Sequence, residues 1–303
     1  MTGDTTISRR AFLKKAAGVG ATAVTGACLS SIALEPTFAS DVQSDKAWGM
    51  LIDVTRCSGC NSCALACKEA NDRPDPTKEP THLSCDAYSF VDAKAAGRIE
   101  PVYAKRQCMH CVHPACVSAC TVGAMRKTPE GPVVYDSSKC IGCRYCQYAC
   151  PFGVPTFDWD NPLGLIHKCQ MCISRLEEGS LPACVDACPA GALRFGRRTD
   201  LLAQAHAQIV SNPGRYVDHV YGETEAGGTS VLYLSGVPFS ALGLPTLGDQ
   251  PIPEYAEAVM KRTPVIAVSV ASLATGLYWL LKRREFQPSE ARVDLPQEGP
   301  HGR

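Results

Sequence analysis

Four cysteine quartets constrain this chain more than any other feature of its 303 residues. Cys57, Cys60, Cys63 and Cys67 are spaced C-x2-C-x2-C-x3-C, and Cys140, Cys143, Cys146 and Cys150 repeat that spacing before Pro151. Cys108, Cys111, Cys116 and Cys120 widen the middle gap. Cys169, Cys172, Cys184 and Cys188 widen it further and precede Pro189. The unwidened run is the bacterial ferredoxin pattern, in which closely spaced thiolates wrap one cubane. Four such quartets imply four [4Fe–4S] clusters. Gly59 and Gly142 lie inside the loops, where a missing side chain lets backbone N–H groups approach cluster sulfur. The fourth cysteine of a run follows one helical turn later and reaches toward the neighbouring cluster, so quartets interlock in pairs.

Competing uses of these thiols fit less well. Structural zinc takes two CxxC pairs in tetrahedral geometry, whereas the first and third quartets crowd four cysteines into eleven residues. Disulfides between such near neighbours are strained. A radical enzyme leaves one iron open, and every quartet here is complete. Two of the 18 cysteines are left over. Cys28 lies in the N-terminal segment, and Cys85 is expected as a free thiol. His110, His113 and His167 are expected to pack and hydrogen-bond near the clusters rather than ligate them. Lys139, Arg144 and Lys168 flank cysteines and are expected to be solvated.

The N-terminus carries Arg9-Arg10 followed by an uncharged stretch from Ala16 to Leu34, with small residues before position 40. It resembles a twin-arginine signal over 1–40, a route that exports folded, cofactor-loaded proteins. Lysine plus arginine equals aspartate plus glutamate at 30 each, which argues against nucleic-acid binding. Pro264–Leu281 is an uncharged run flanked by Lys261, Arg262 and Lys282–Arg284. It is expected to form a transmembrane helix, with small residues Ala267, Ala271, Ser272 and Gly276 for packing. The expected organisation is a signal over 1–40, a four-cluster domain over 41–198, a helix, strand and connector over 199–263, the span over 264–281 and a cytoplasmic tail over 282–303. Within it, Val133–Tyr135 after the turn Glu130–Pro132 and Leu193–Phe195 read as strands. Thr199 is expected to cap a helix reaching Val210, with Leu201, Ala205 and Ile209 on one face. Ser230–Leu234 reads as a strand and 236–253 as an extended connector. The fold class is α+β: a duplicated bacterial-ferredoxin-like domain with small sheets and short helices, plus the C-terminal span.

The segments Gln107–Cys120, Asn161–Cys172, Cys184–Gly196 and Tyr221–Leu247 resemble the iron–sulfur subunits of membrane-bound respiratory oxidoreductases. The likeness is to the hydrogenase-2 type (HybA-like) and also to formate dehydrogenase beta subunits. The resemblance implies nested ligand sets. Cys57, Cys60 and Cys63 would join Cys188, and Cys67 would join Cys169, Cys172 and Cys184. Cys108, Cys111 and Cys116 would join Cys150, and Cys120 would join Cys140, Cys143 and Cys146. Spacing alone leaves pairing of adjacent quartets open. Thr121, where such proteins commonly have proline, and Lys68 after Cys67 are expected to alter their local turns. The implied role is non-catalytic electron transfer on the periplasmic face of the cytoplasmic membrane. Electrons pass from a catalytic subunit, a nickel–iron hydrogenase or alternatively a molybdopterin enzyme, to an integral membrane subunit that reduces quinone. No nucleophile or acid–base pair indicates catalysis by the chain itself.

Overall fold

An unbroken apolar stretch such as Met50-Leu51-Ile52 suits a strand only if both of its faces are covered. In the computed structural model, which describes residues 46–97, 99–161 and 164–283, strand β1 (Trp48–Asp53) is in that position. The segment expected to be a signal, 1–40, lies outside the described residues, as does all of the tail beyond 283.

The strands between β1 and the end of the chain are β2 (Phe90–Lys94), β3 (Val102–Arg106), β4 (Met125–Lys127), β5 (Val133–Tyr135), β6 (Thr156–Phe157), β7 (Ile166–His167), β8 (Leu193–Arg197) and β9 (Val231–Leu234). Strand β1 is central in a three-stranded sheet of order β8-β1-β9, antiparallel to β8 and parallel to β9. Leu51 pairs with Arg194 on one side and Leu232 on the other. The sheet thus ties the beginning of the described chain to segments far later in it, Leu51 to Arg194 and to Leu232. The other strands form three antiparallel pairs, β2-β3, β4-β5 and β6-β7.

The helices are α1 (Ser62–Glu69), α2 (Ala115–Ser118), α3 (Tyr145–Ala149), α4 (Ile173–Glu177), α5 (Ala183–Asp186), α6 (Arg198–Ser211) and α7 (Ile252–Arg283). Period-2 alternation divides the core. Leu51, Leu232 and Leu234 face α6 through Leu201 and Ala205. Met50, Ile52, Val231 and Tyr233 face the cysteine loops with Cys63 and Cys184. Arg197, not Thr199, stands at the N-cap of α6. Thr199 is displaced from the cap because the helix begins at Arg198. That side chain is buried, donating from Nε to the Thr229 carbonyl at 2.7 Å and from Nη2 to the Gly222 and Glu223 carbonyls at 3.2 and 3.0 Å.

Two further expectations need correction. The connector 236–253 is not extended throughout, since Phe239–Leu242 forms a 3-10 turn whose Phe239 and Leu242 are buried in the core. Pro264–Leu281 lies within α7, yet among the described residues no helix is long and apolar enough to cross a membrane. Pro264, Ser269, Ser272, Thr275 and Gly276 dilute the apolar run. The first turns of the helix are polar and carry the Glu257–Lys261 ion pair at 3.6 Å. The expected transmembrane span is therefore not supported.

Removing the Arg198 guanidinium leaves the buried Thr229 carbonyl and the part-buried Glu223 carbonyl without that donor, while Gly222 keeps the bond from Thr229 N. Arg198→Met is expected to cost roughly 3 kcal/mol, read as a lower denaturation midpoint with an unchanged denaturant slope.

Candidate iron–sulfur sites

Each quartet opens with a CxxC loop whose second intervening residue takes a left-handed backbone: Gly59 (φ 76°), His110 (φ 47°), Gly142 (φ 69°) and Met171 (φ 58°). The conformation turns backbone N–H groups inward. Gly142 N donates to Cys140 Sγ at 3.5 Å and Met171 N to Cys169 Sγ at 3.3 Å. Glycine is required at position 59, because a Cβ there would lie 2.5 Å from the Tyr103 ring. His110 and Met171 adopt the same conformation as ordinary residues, a strain of order 1 kcal/mol each that the surrounding structure must impose.

The local frames repeat in alternation. Asp53 Oδ1 accepts from Thr55 N at 3.0 Å ahead of Cys57, and Asp136 Oδ1 accepts from Ser138 N at 3.1 Å ahead of Cys140. Pro114 and Pro182 each precede an Ala-Cys pair that begins α2 and α5. The first quartet therefore resembles the third in build, and the second resembles the fourth. These Asp-x-Ser/Thr and Pro-Ala-Cys repeats are visible in the sequence, although cysteine spacing alone passes over them.

Tertiary packing decides which thiols meet. Helix α1 packs against α5, and α2 against α3, so the outer quartets meet each other and the inner quartets meet each other. Cys57, Cys60, Cys63 and Cys188 line one cavity. Cys67, Cys169, Cys172 and Cys184 lie close enough for Cys67 and Cys172 to raise the pKa of both Cys169 and Cys184. Cys108, Cys116 and Cys150 do the same to Cys111, and Cys120, Cys140 and Cys143 to Cys146. The sixteen candidates thus lie in an outer set from the first and fourth quartets and an inner set from the second and third. Among the described residues no three His, Cys, Asp or Glu side chains converge as they would on a single metal ion. In a cubane each thiolate meets a different iron, so its ligands stand farther apart.

Burial is the main influence on these thiols, and it raises their pKa. Cys63 and Cys146 are pushed up to about 11, and Cys116 and Cys184 to about 12, with neighbouring thiols adding to the effect. Cys60 is exposed and shifts the other way, lowered first by its hydrogen bond with the Ser62 hydroxyl.

Positive charge lies among these groups. Lys105 is 1% exposed and donates to Gln107 Oε1. Burial alone would lower its pKa, but the thiols of Cys184, Cys63, Cys67 and Cys169 more than offset that and raise it. Lys168, expected to be solvated, is instead buried, and its ammonium donates to the Val133 and Cys169 carbonyls. Lys127 donates to the His110 and Cys111 carbonyls at 3.0 and 2.8 Å. Sequence reasoning missed Lys105 and Lys127, since neither flanks a cysteine directly.

His110 is buried and its Nδ1 accepts from Val133 N at 2.9 Å. Burial, then Lys168 and Lys127, hold its pKa well below the ordinary value, so the ring is neutral and its proton sits on Nε2. That buried Nε2 has no hydrogen-bond partner among the described residues. An orphaned donor inside the Cys108–Cys111 loop fits a cluster sulfur as its missing acceptor. His167 meets Tyr88 instead, at 3.3 Å.

Cys85 belongs to none of the groups, and its thiol donates to Asp86 Oδ1 at 3.7 Å. Thr121 does not disturb its turn. Gly123 N donates to the Cys120 carbonyl, as Gly153 N does to Cys150 and Gly191 N to Cys188. At Lys68 the backbone does differ: α1 continues past Cys67, and Lys68 Nζ donates to the Asp75 and Lys78 carbonyls at 2.7 and 3.2 Å.

Repeated CxxC cradles with inward N–H groups, on short helices and hairpins, define a ferredoxin-like iron–sulfur protein, and residues 99–198 match the 4Fe-4S dicluster domain family. The chain is 45% identical over 305 residues to a protein of Nitratidesulfovibrio vulgaris, covering 96% of this chain and 82% of that one. It is 40% identical over 241 residues to the hydrogenase-2 operon protein HybA of Escherichia coli O157:H7, covering 66% and 74%. It is 34% identical over 209 residues to the formate dehydrogenase-O iron–sulfur subunit of Escherichia coli K12, covering 65% and 68%. The chain belongs to this family of HybA and formate dehydrogenase iron–sulfur subunits.

Thiols whose folded pKa is raised stabilise the cluster-free fold below the ordinary value of 9.0, and that contribution is lost as pH climbs toward about 12. The melting temperature of anaerobic, cluster-free chain is expected to fall between those limits. Cluster-loaded chain, whose thiolates carry no proton, should lack this dependence.

Proposed function

We propose that this chain is an electron-transfer subunit with four [4Fe–4S] clusters, carrying electrons from a periplasmic catalytic subunit to a quinone-reactive membrane subunit. The packing of the first quartet against the fourth, and of the second against the third, supports the reading. The proposed ligand sets are Cys57, Cys60, Cys63 and Cys188; Cys67, Cys169, Cys172 and Cys184; Cys108, Cys111, Cys116 and Cys150; and Cys120, Cys140, Cys143 and Cys146.

When bound, the clusters supply one-electron redox couples. The chain's own residues hold them, exclude water and donate hydrogen bonds. Two sets reach the surface. Cys60 is exposed in the first, and Ile141, Tyr145 and Tyr148 are exposed around the fourth, beside Trp159. These are suitable places for electrons to enter and leave. The interior between them holds the buried Lys105, Gln107, His110 and Lys168 side chains among apolar ones.

HybA is named for hydrogenase-2, and its 40% identity favours a nickel–iron hydrogenase as the catalytic partner. A formate dehydrogenase partner is the second reading, supported by the 34% identity to that enzyme's subunit. Export on the twin-arginine segment Ser8–Lys14 would place the clusters on the periplasmic side. Isolation of the native complex decides between the partners: nickel supports the first, and molybdenum overturns it in favour of the second.

Anaerobically purified chain should hold about sixteen irons. Cys143→Ser is expected to remove or convert one cluster, lowering iron to about twelve and stopping electron flow to quinone. Native rates of quinone reduction in that variant would refute a linear relay.

A further inference from the structure

Lys105 occupies an unusual place. Its side chain is 1% exposed and lines the cavity of Cys57, Cys60, Cys63 and Cys188. The same ammonium acts on Cys67, Cys169 and Cys184 of the neighbouring group. No carboxylate pairs with it among the described residues. Its polar partner is Gln107 Oε1, and Gln107 is held in turn by a 3.2 Å contact from Nε2 to Met50 Sδ. The backbone is fixed as well: the Tyr233 hydroxyl donates to the Lys105 carbonyl at 2.7 Å, and Lys105 pairs with Val91 across β2-β3. A buried cation without an anion is costly. Here the anions within its reach are the thiolates of two cradles.

We propose that Lys105 is the shared counter-charge of the first two clusters, a positioning residue that holds the reduction potentials of both above those they would have without it. The inference rests on the cluster reading above. Reduction adds one negative charge to a cluster, and a fixed cation in a low-dielectric interior favours the reduced form. One lysine can serve two cradles because its side chain lines a cavity formed by residues of both the first and fourth quartets. The third group has other cations, Lys127 acting on Cys111 and Lys168 on Cys116. The first two potentials are therefore set together by Lys105, and the third by Lys127 and Lys168.

The test is a redox titration of the full, cluster-loaded chain followed by electron paramagnetic resonance. Lys105→Met removes the charge and keeps the length of the stem. Two of the four signals are expected to shift by at least tenfold in their reduction equilibrium, 59 mV downward for a one-electron couple, with the other two moving less. Gln107→Glu keeps the shape of residue 107 and gives the ammonium a carboxylate. It is expected to lower the same two potentials, and it decides alone if Lys105→Met does not load its clusters. Lys105→Arg, which keeps the charge, should stay near native potentials. A lysine serving only to brace β3 would lower the melting temperature and leave the potentials in place, which overturns the proposal. A uniform shift of all four signals also overturns it. Native chain without reducible clusters would instead overturn the cluster reading, and the inference with it. Iron content and spectrum of the native chain, recorded first, separate the two failures.

Discussion

Keeping many thiolates in an interior that resists charge is the constraint on which this structure depends. Burial pushes Cys63, Cys116, Cys146 and Cys184 to pKa values of about 11 to 12, so without metal these groups hold protons. Bound iron would replace those protons, and the chain has placed groups that favour the exchange. Gly142 N and Met171 N point at sulfur, the His110 Nε2 proton lacks an acceptor among the described residues, and the Lys105 and Lys168 ammonium groups sit among the cradles. A fold with this interior and no cofactor would contain orphaned donors and unpaired cations, which are costly.

The architecture follows from bringing distant quartets together. Helix α1 carries Cys63 and Cys67, and α5 carries Cys184, so their packing closes the first two groups at once. Helices α2 and α3 do the same for the inner pair through Cys116 and Cys146. The β8-β1-β9 sheet clamps this arrangement. Strand β9 also meets the second quartet directly, since Ser230 N and Val231 N both donate to the Met109 carbonyl at 3.1 Å. The segment after the last cysteine is therefore part of the scaffold that shapes a cradle.

Membership of the HybA and formate dehydrogenase subunit family is consistent with the same physics. The described residues place buried charge and backbone donors among the cysteine loops. Lys105 illustrates this: a costly side chain in an interior position, held by Gln107 and shared between two groups of thiols.

The cysteine quartets, the glycines at 59 and 142 and the strands at Val133–Tyr135 and Leu193–Phe195 were legible in the sequence, because spacing and turn chemistry act over a few residues. So was the strand near 230–234, from its apolar run after Gly227-Gly228. The left-handed conformations of His110 and Met171 were not legible, because nothing in those side chains calls for positive φ and only the closed loop imposes it. The start of α6 at Arg198 was hidden for a similar reason: its guanidinium is satisfied by carbonyls more than twenty residues away. By itself the sequence determined the four cysteine quartets and their CxxC spacing, since residue type and local spacing are one-dimensional. Which quartet packs against which, and where lysine charge lies among them, only the tertiary structure decided, because both depend on elements that meet across about thirty residues in the inner pair and more than a hundred in the outer pair.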